Sequence, residues 1–275
     1  MRNLPEINNL VIKIGSNILA DNKHGINEER IQAIADAVAQ VRRQIPNISI
    51  VSSGAIAAGF KQLGCETRPK EIIDKQACAA VGQARLMWFY QEAFRKHDLT
   101  VAQVLVTKYD FSNRKRYLNA DATIKRLHAM GVTPIINEND TVVVNELKYV
   151  ESFGDNDNLS ALVSGLTNAE MLLILSDVDG LYTADPSKDP NAIPIKNVAQ
   201  IDDTILKAGG DSSSGVGTGG MHSKFTAAAK AVSAGCAVAI LNGRNPEHIL
   251  KFLSGAEVGT FFEPMKADAA IKRGL

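Results

Sequence analysis

The chain reads as an α/β fold built on a mostly parallel central sheet. Strand-like apolar runs alternate with longer helix-like segments, the order that crossover βαβ units require. A hydrophobic content of 45% over 275 residues can bury one large core or two closely joined lobes. Small polar clusters recur directly after the strand-like runs, at the edge where open α/β sheets bind ligands.

Leu10-Val11-Ile12-Lys13-Ile14 predicts the first strand, a near-continuous apolar run suited to burial on both faces. Asn27 is placed to cap a helix that opens with Glu28, Glu29 and Arg30 and continues in the rhythm Ile31, Ile34, Ala35, Val38, Val41. Ile48 to Val51 is the next strand, Glu71 to Arg95 one or two helices, and Val101 to Val106 a strand. Asn113 to Met130 predicts a helix and Val132 to Ile136 another strand. The second half continues with a helix from about Asn158, a strand Met171 to Leu175, and a glycine-rich loop. A helix from Met221 to Ala234 and a strand Ala237 to Leu241 follow.

Thirty basic and thirty acidic side chains cancel, so no global positive field draws the chain to nucleic acid or an anionic membrane. Any phosphate site must be local. Met1 to Glu6 lacks the apolar core of a secretory signal and no apolar run approaches membrane-spanning length, so a cytoplasmic protein is expected. Cys65, Cys78 and Cys236 are odd in number and widely spaced, which predicts neither a disulfide framework nor a zinc ribbon. His24, His97, His128, His222 and His248 have no i, i+4 pairing, so a metal, if needed, is expected to arrive with a ligand.

Lys13 interrupts the first strand, where an unpaired ammonium is costly. Either it lies at a strand end and snorkels to solvent, or, with Gly15 and Ser16 following, it brings a cation and bare backbone to the ligand edge. Gly209 to Gly220 reads either as a plain linker or as a glycine-rich approach to a helix amino terminus, where free N–H groups and the dipole favour phosphate. Its Gly215-x-Gly217-x-x-Gly220 spacing matches the dinucleotide fingerprint only in letters. No strand directly precedes it and Ile240 stands where an acid is needed. Ser52-Ser53-Gly54-Ala55, Asn137-Glu138-Asn139-Asp140 and Ser176-Asp177-Val178-Asp179-Gly180 each have the composition of an ordinary turn. Repeated at several strand ends, they point to a shared ligand edge. Asp155, Asn156 and Asp157 precede a helix, where they could simply cap it, or one aspartate could hold the two lysines Lys13 and Lys224.

The segments VIKIGS (Val11 to Ser16), VSSGAIAAG (Val51 to Gly59), Lys75-Gln76 with AAVGQ (Ala79 to Gln83), and PIINEND (Pro134 to Asp140) extend these clusters. GDNDNLSAL (Gly154 to Leu162), DGLYTADP (Asp179 to Pro186) and GTGGM (Gly217 to Met221) complete the set, in order from about Leu10 to Phe262. Together they closely resemble the amino acid kinase family and, within it, the glutamate 5-kinases. The resemblance implies one three-layer α/β/α sandwich of the amino acid kinase fold, with a glutamate-binding lobe over about 1–165, a nucleotide-binding lobe over about 166–262 and a tail over 263–275. It implies transfer of the γ-phosphoryl of ATP to the side-chain carboxylate of L-glutamate, giving L-glutamyl 5-phosphate, the first step towards proline. Mg²⁺ would be carried with the nucleotide. A glutamate side chain, with a pKa near ~4.3, is already an anion at neutral pH and needs no general base. Lysines and Mg²⁺ are therefore more useful than a histidine.

Residue by residue, the resemblance implies that Lys13 and Lys224 bind the transferring phosphoryl group and that Asp157 organises them. Ser53, Gly54, Asn137, Asp140 and Asn156 would bind glutamate, the carboxylate of Asp140 suiting its α-ammonium. Lys13, Gly15, Ser176 and Asp177, with Thr218, Gly219, Gly220, Met221, His222, Ser223 and Lys224, would bind the nucleotide. Asp155 is a weaker candidate. Asn17, Ser176 and Ser223 stand where related sequences often carry a hydroxyl residue or threonine, and none of these departures removes a proposed catalytic charge. Many relatives continue into a PUA domain, and this chain is expected to have none. The resemblance also implies a homo-oligomer, dimer or tetramer, functional coupling to glutamyl phosphate reductase, and proline feedback. The alternatives are another acceptor, as in acetylglutamate or nucleoside monophosphate kinases, or a binding regulator that has lost turnover.

Overall fold

The computed structural model describes residues 1–21, 25–142, 156–184, 186, 188–202, 205, 208 and 219–265. Its centre is an eight-stranded sheet. In chain order the strands and helices of the first half are β1 (Asn9–Ile14), α1 (Ser16–Leu19), β2 (Ala20–Asp21), β3 (Gly25–Ile26), α2 (Glu28–Val41), β4 (Asn47–Ser52), α3 (Ala55–Gly59), α4 (Ile72–Arg95), β5 (Val101–Val106), α5 (Lys108–Ser112), α6 (Arg114–Ala129) and β6 (Thr133–Glu138). The second half comprises α7 (Asn156–Leu166), β7 (Met171–Ser176), β8 (Leu181–Tyr182), β9 (Pro194–Ile195), β10 (Asn197–Val198), α8 (Gly219–Ser233), β11 (Ala237–Asn242), α9 (Glu247–Leu253) and β12 (Thr260–Phe262).

The sheet order is β10-β12-β11-β7-β1-β4-β6-β5. β11, β7, β1, β4, β6 and β5 all run parallel, and β12 turns back antiparallel to β11. β1 is the oldest strand in sequence and lies in the middle, with chain growth passing to β4 on one side and to β7 on the other. Such a reversal of strand order is where open α/β sheets bind ligands, outside the carboxyl ends of the strands.

Period-two alternation divides the buried residues between two layers. Leu10, Ile12 and Ile14 of β1 join Ile48 and Ile50 of β4 and Leu173 and Leu175 of β7 beneath α2, α4 and α9. Val11, Val51, Leu172 and Ile174 face the other way, with Ile124 of α6, Leu159 and Val163 of α7 and Phe225 and Ala228 of α8. The three-layer expectation is met. The helix expected over Glu71 to Arg95 is a single one, α4, and Asn27 caps α2 by accepting from Arg30 N at 2.8 Å. Among the described residues no helix is long and apolar enough to cross a membrane.

α3 is too short to be held by its own hydrogen bonds and depends on packing. It crosses α4 at two glycines. A Cβ at Gly59 would lie 1.9 Å from the Cys78 carbonyl oxygen, and one at Gly82 would lie 1.8 Å from that of Ala55. Gly54, immediately before α3, has φ 108°, a left-handed conformation open to glycine at no steric cost. This crossing fixes the turn after β4 against α4.

Candidate functional site

Lys13 is the fifth residue of β1, so alternation sends its side chain to the face covered by α7 and α8. It is only 4% exposed, which overturns the snorkelling alternative. Its Nζ lies 2.5 Å from Asp157 Oδ1. The other carboxylate oxygen of Asp157 accepts from Ser223 Oγ at 2.7 Å and lies 3.7 Å from Lys224 Nζ. Lys224 also donates to the Gly220 carbonyl at 2.7 Å, and its side chain is the more exposed of the two lysines, at 13% against 5%. One carboxylate thus holds two ammonium groups at a sheet edge, and a second, that of Asp177, feels the charge of Lys224. The helix expected from about Asn158 begins two residues earlier and takes in Asn156 and Asp157, so this carboxylate also complements the positive end of α7.

Asn156, one residue before, belongs to a second buried group. Its Nδ2 donates both to the Ser52 carbonyl and to Asn137 Oδ1, each at 2.8 Å. With both amide hydrogens used, the group that Asn156 can offer a ligand is its carbonyl oxygen. Asn137 Oδ1 also accepts from Glu138 N at 2.9 Å, and Asn137 Nδ2 donates to Gln83 Oε1 at 2.9 Å. Asp140 lies just beyond β6, half-buried, with no hydrogen bond or ion pair to any described residue. Burial raises its carboxyl pKa above the ordinary aspartate value, the condition of an acid that lacks a cation. Ser53 N donates to the Ile14 carbonyl at 3.1 Å, which ties the end of β4 to the end of β1.

On the other side of Lys13, Gly15 N donates to the Leu175 carbonyl at 3.3 Å, and a Cβ at Gly15 would sit 3.4 Å from Lys13 Nζ. The glycine leaves space beside the ammonium. Ser176 is buried at the end of β7 and its hydroxyl reaches Asp177 Oδ1 at 3.3 Å. Burial alone would raise the carboxyl pKa of Asp177, but the Asn17 amide, at 3.2 Å, and the charge of Lys224 outweigh it and the pKa is lowered. Gly219, Gly220, Met221, His222, Ser223 and Lys224 form the opening turns of α8. Thr218 and Asp155 lie outside the described residues.

The structure therefore brings Lys13, Asp157, Ser223 and Lys224 into one cluster and Asn137 and Asn156 into a second. The adjacent residues Asn156 and Asp157 join them. Gln83 and Asn17 were not singled out from sequence as site residues. In the sequence Gln83 closes the AAVGQ segment and is an amide on the buried face of α4, between Ala79 and Leu86, and Asn17 is marked by its place after Gly15 and Ser16, where related sequences often carry a hydroxyl residue.

Residues 8–242 match the amino acid kinase family. A glutamate 5-kinase from Citrifermentans bemidjiense is 48% identical over 261 residues, covering 95% of this chain and 69% of that protein. One from Geobacter sulfurreducens is 49% identical over 263 residues, covering 96% and 69%. One from Myxococcus xanthus is 47% identical over 258 residues, covering 93% and 66%. Among solved structures, an isopentenyl phosphate kinase from T. acidophilum superposes with a TM-score of 0.62 at 16% identity, over 93% of this chain and all of that one. A UMP kinase from Ureaplasma parvum also gives 0.62 at 16% identity, over 96% of this chain and all of its own. At that identity the two structures establish the fold.

Proposed function

This chain belongs to the amino acid kinase family, and from that premise we propose that it is an ATP-dependent kinase of the L-glutamate side-chain carboxylate. The product is L-glutamyl 5-phosphate, the first intermediate towards proline. An oxygen of the γ-carboxylate attacks the γ-phosphorus of ATP, the bond from that phosphorus to the β,γ-bridging oxygen breaks, and ADP leaves with the bridging oxygen. No proton has to be removed from the nucleophile, whose pKa is near ~4.3 in water. The difficulty is bringing one anion against another, which positioning and fixed positive charge can relieve.

The observation that carries this reading is Asp157 between Lys13 and Lys224, at 2.5 and 3.7 Å. Lys13, held inside the sheet, and Lys224, nearer solvent, are assigned to the phosphoryl oxygens, with Asp157 keeping both in place. Ser53, Gly54, Asn137, Asp140 and Asn156 are assigned to glutamate. The carboxylate of Asp140 and the carbonyl of Asn156 are both acceptors and suit the α-ammonium. Gly15, Ser176 and Asp177, with the start of α8 from Thr218 to Lys224, are assigned to ATP. In this division the acceptor lobe covers about 1–165 and the nucleotide lobe about 166–262.

Asp157 is already engaged by both lysines, so the residues here fit a Mg²⁺ that comes on the phosphates of ATP rather than one held by the protein. When bound, it would neutralise charge on the β- and γ-phosphate oxygens. A homo-oligomer, a cytoplasmic location and functional coupling to glutamyl phosphate reductase, which would take up a labile acyl phosphate, belong to the same proposal.

The test is ATP- and Mg²⁺-dependent ADP release with L-glutamate, N-acetylglutamate, aspartate or UMP, with hydroxylamine present to trap an acyl phosphate. Glutamate-specific turnover with hydroxamate formation is expected. Turnover with another acceptor would overturn the substrate, and nucleotide binding without ADP release would overturn the kinase.

A further inference from the structure

The directions of the buried amides are set by two backbone groups along the chain of hydrogen bonds. The Ser52 carbonyl can only accept, so the atom of Asn156 that meets it is Nδ2. Glu138 N can only donate, so the atom of Asn137 that meets it is Oδ1. Asn137 must then point its own Nδ2 at Gln83, and the atom of Gln83 that receives it is Oε1, at 2.9 Å. What remains is Gln83 Nε2. It is buried, carries two hydrogens, and meets no acceptor among the described residues, although Gln83 as a whole is 8% exposed. Buried donors are rarely left without a partner.

The surroundings say what the partner is. α4 touches the turn after β4 at this point, since a Cβ on the preceding residue, Gly82, would lie 1.8 Å from the Ala55 carbonyl. Gln83 therefore follows a residue packed on the turn after β4 and is hydrogen-bonded to Asn137, one of the residues assigned to the acceptor. If the reading of the acceptor as glutamate holds, on which this inference rests, its γ-carboxylate goes to the lysine cluster. Its ammonium goes to Asp140 and the Asn156 carbonyl, and its α-carboxylate has room for a further donor besides the Ser53 hydroxyl and the Gly54 N–H. We propose that Gln83 Nε2 is that donor, making Gln83 a substrate-binding and specificity-determining residue that selects an anionic α-carboxylate.

The test pairs Gln83→Glu with two acceptors, L-glutamate and its α-amide, isoglutamine, which keeps the γ-carboxylate. The substitution preserves shape and the oxygen that Asn137 needs, but it puts a carboxylate against the α-carboxylate of glutamate. The amide of isoglutamine can instead donate to it. The expected result is a ratio of kcat/KM for glutamate over isoglutamine that falls about tenfold or more, with the KM for ATP unchanged, because hydrogen bonds to charged groups are the strong ones. Lowering the pH towards the pKa of the new carboxylate restores part of the ratio. A merely structural role would move melting temperature and kcat for both acceptors alike and leave the ratio as in the parent, and that result overturns the proposal.

Should Q83E fail to fold, Gln83→Met carries the test, with an expected tenfold or so rise in glutamate KM and an unchanged value overturning the proposal. The parent is assayed alongside. No hydroxamate from the parent with glutamate overturns the function, whereas normal parental turnover with an unmoved ratio in the variant overturns Gln83 alone.

Discussion

Lys13 Nζ lies 2.5 Å from Asp157 Oδ1, with both side chains almost wholly buried. The pair pins the central strand to the first turn of α7, and through Ser223 and Lys224 the same carboxylate reaches α8. An ion pair so placed is a doubtful source of net stability, because desolvating two charges offsets their attraction. Removing one partner is a different matter. Asp157→Ala leaves a buried ammonium without its counter-ion, which costs about 3–5 kcal/mol. The double variant Lys13→Met with Asp157→Ala is expected to recover much of that loss in urea denaturation while showing no turnover. A double variant as unstable as D157A would mean that the carboxylate supports the fold through Ser223 and α8 rather than through Lys13.

Lys224 differs from Lys13 in being partly exposed and in having the Gly220 carbonyl as a second partner. Its loss should therefore cost little stability. Lys224→Ala is expected to lower kcat by about two orders of magnitude or more, the size of effect seen when a fixed contact to transition-state charge is removed. Melting temperature should stay near that of the parent. Turnover near the parental rate in a folded variant would remove Lys224 from the mechanism.

Asp140 provides a pH signature. Burial raises its carboxyl pKa in the folded protein, so between the ordinary value and the raised one the folded chain binds more protons than the unfolded chain. Stability then falls as pH rises through that window. Asp140→Asn removes the penalty, and the ligand-free variant is expected to melt at or above the parent at neutral pH. The gap should close below the unfolded pKa of about 3.9. Glutamate binding has the opposite sign, because the ammonium needs the ionised carboxylate. The parent's glutamate KM should climb as pH falls through the raised pKa, while D140N shows a high KM that ignores this titration. Parallel pH profiles for the two proteins would rule Asp140 out as the ammonium's partner.

The strands were legible because a buried parallel sheet leaves near-continuous apolar runs, as in Leu10 to Ile14 and Met171 to Leu175. Lys13 was legible as an anomaly within such a run, and alternation alone would have sent it to the face opposite Ile12. Its partner was not legible from spacing. Asp157 meets Lys13 only because α7 is laid over β1 by a crossover, and nothing local in GDNDN separates a capping aspartate from a bridging one. The resemblance to a known family supplied that pairing. Gln83 was hidden for a different reason. In α4 it occupies one position of a stripe shared with Ala79, Leu86 and Tyr90, where helical periodicity reads core, and its meaning comes from backbone groups of β4 and β6.

Gly82 carries a prediction about how the acceptor site is supported from outside it. The α3–α4 crossing has no room for a methyl group, since the added carbon would sit 1.8 Å from the Ala55 carbonyl and 2.5 Å from Gly59 N. Both obstacles are backbone, so no side-chain rotation can relieve them. A helix interior would otherwise favour alanine over glycine by about 1 kcal/mol, yet overpacking of this kind costs about 1–3 kcal/mol or more. Gly82→Ala is therefore expected to lower stability in urea denaturation despite the gain in helix propensity. Relief requires α3 to move away from α4, and α3 begins at the residue after Gly54. A folded G82A should consequently show a raised KM for glutamate with little change in the KM for ATP, whose proposed residues among those described lie at the ends of β1 and β7 and at the start of α8. An equal rise in both Michaelis constants would show that the crossing supports the sheet edge as a whole, and an unchanged stability would mean that the two helices are not held as close as the structure has them.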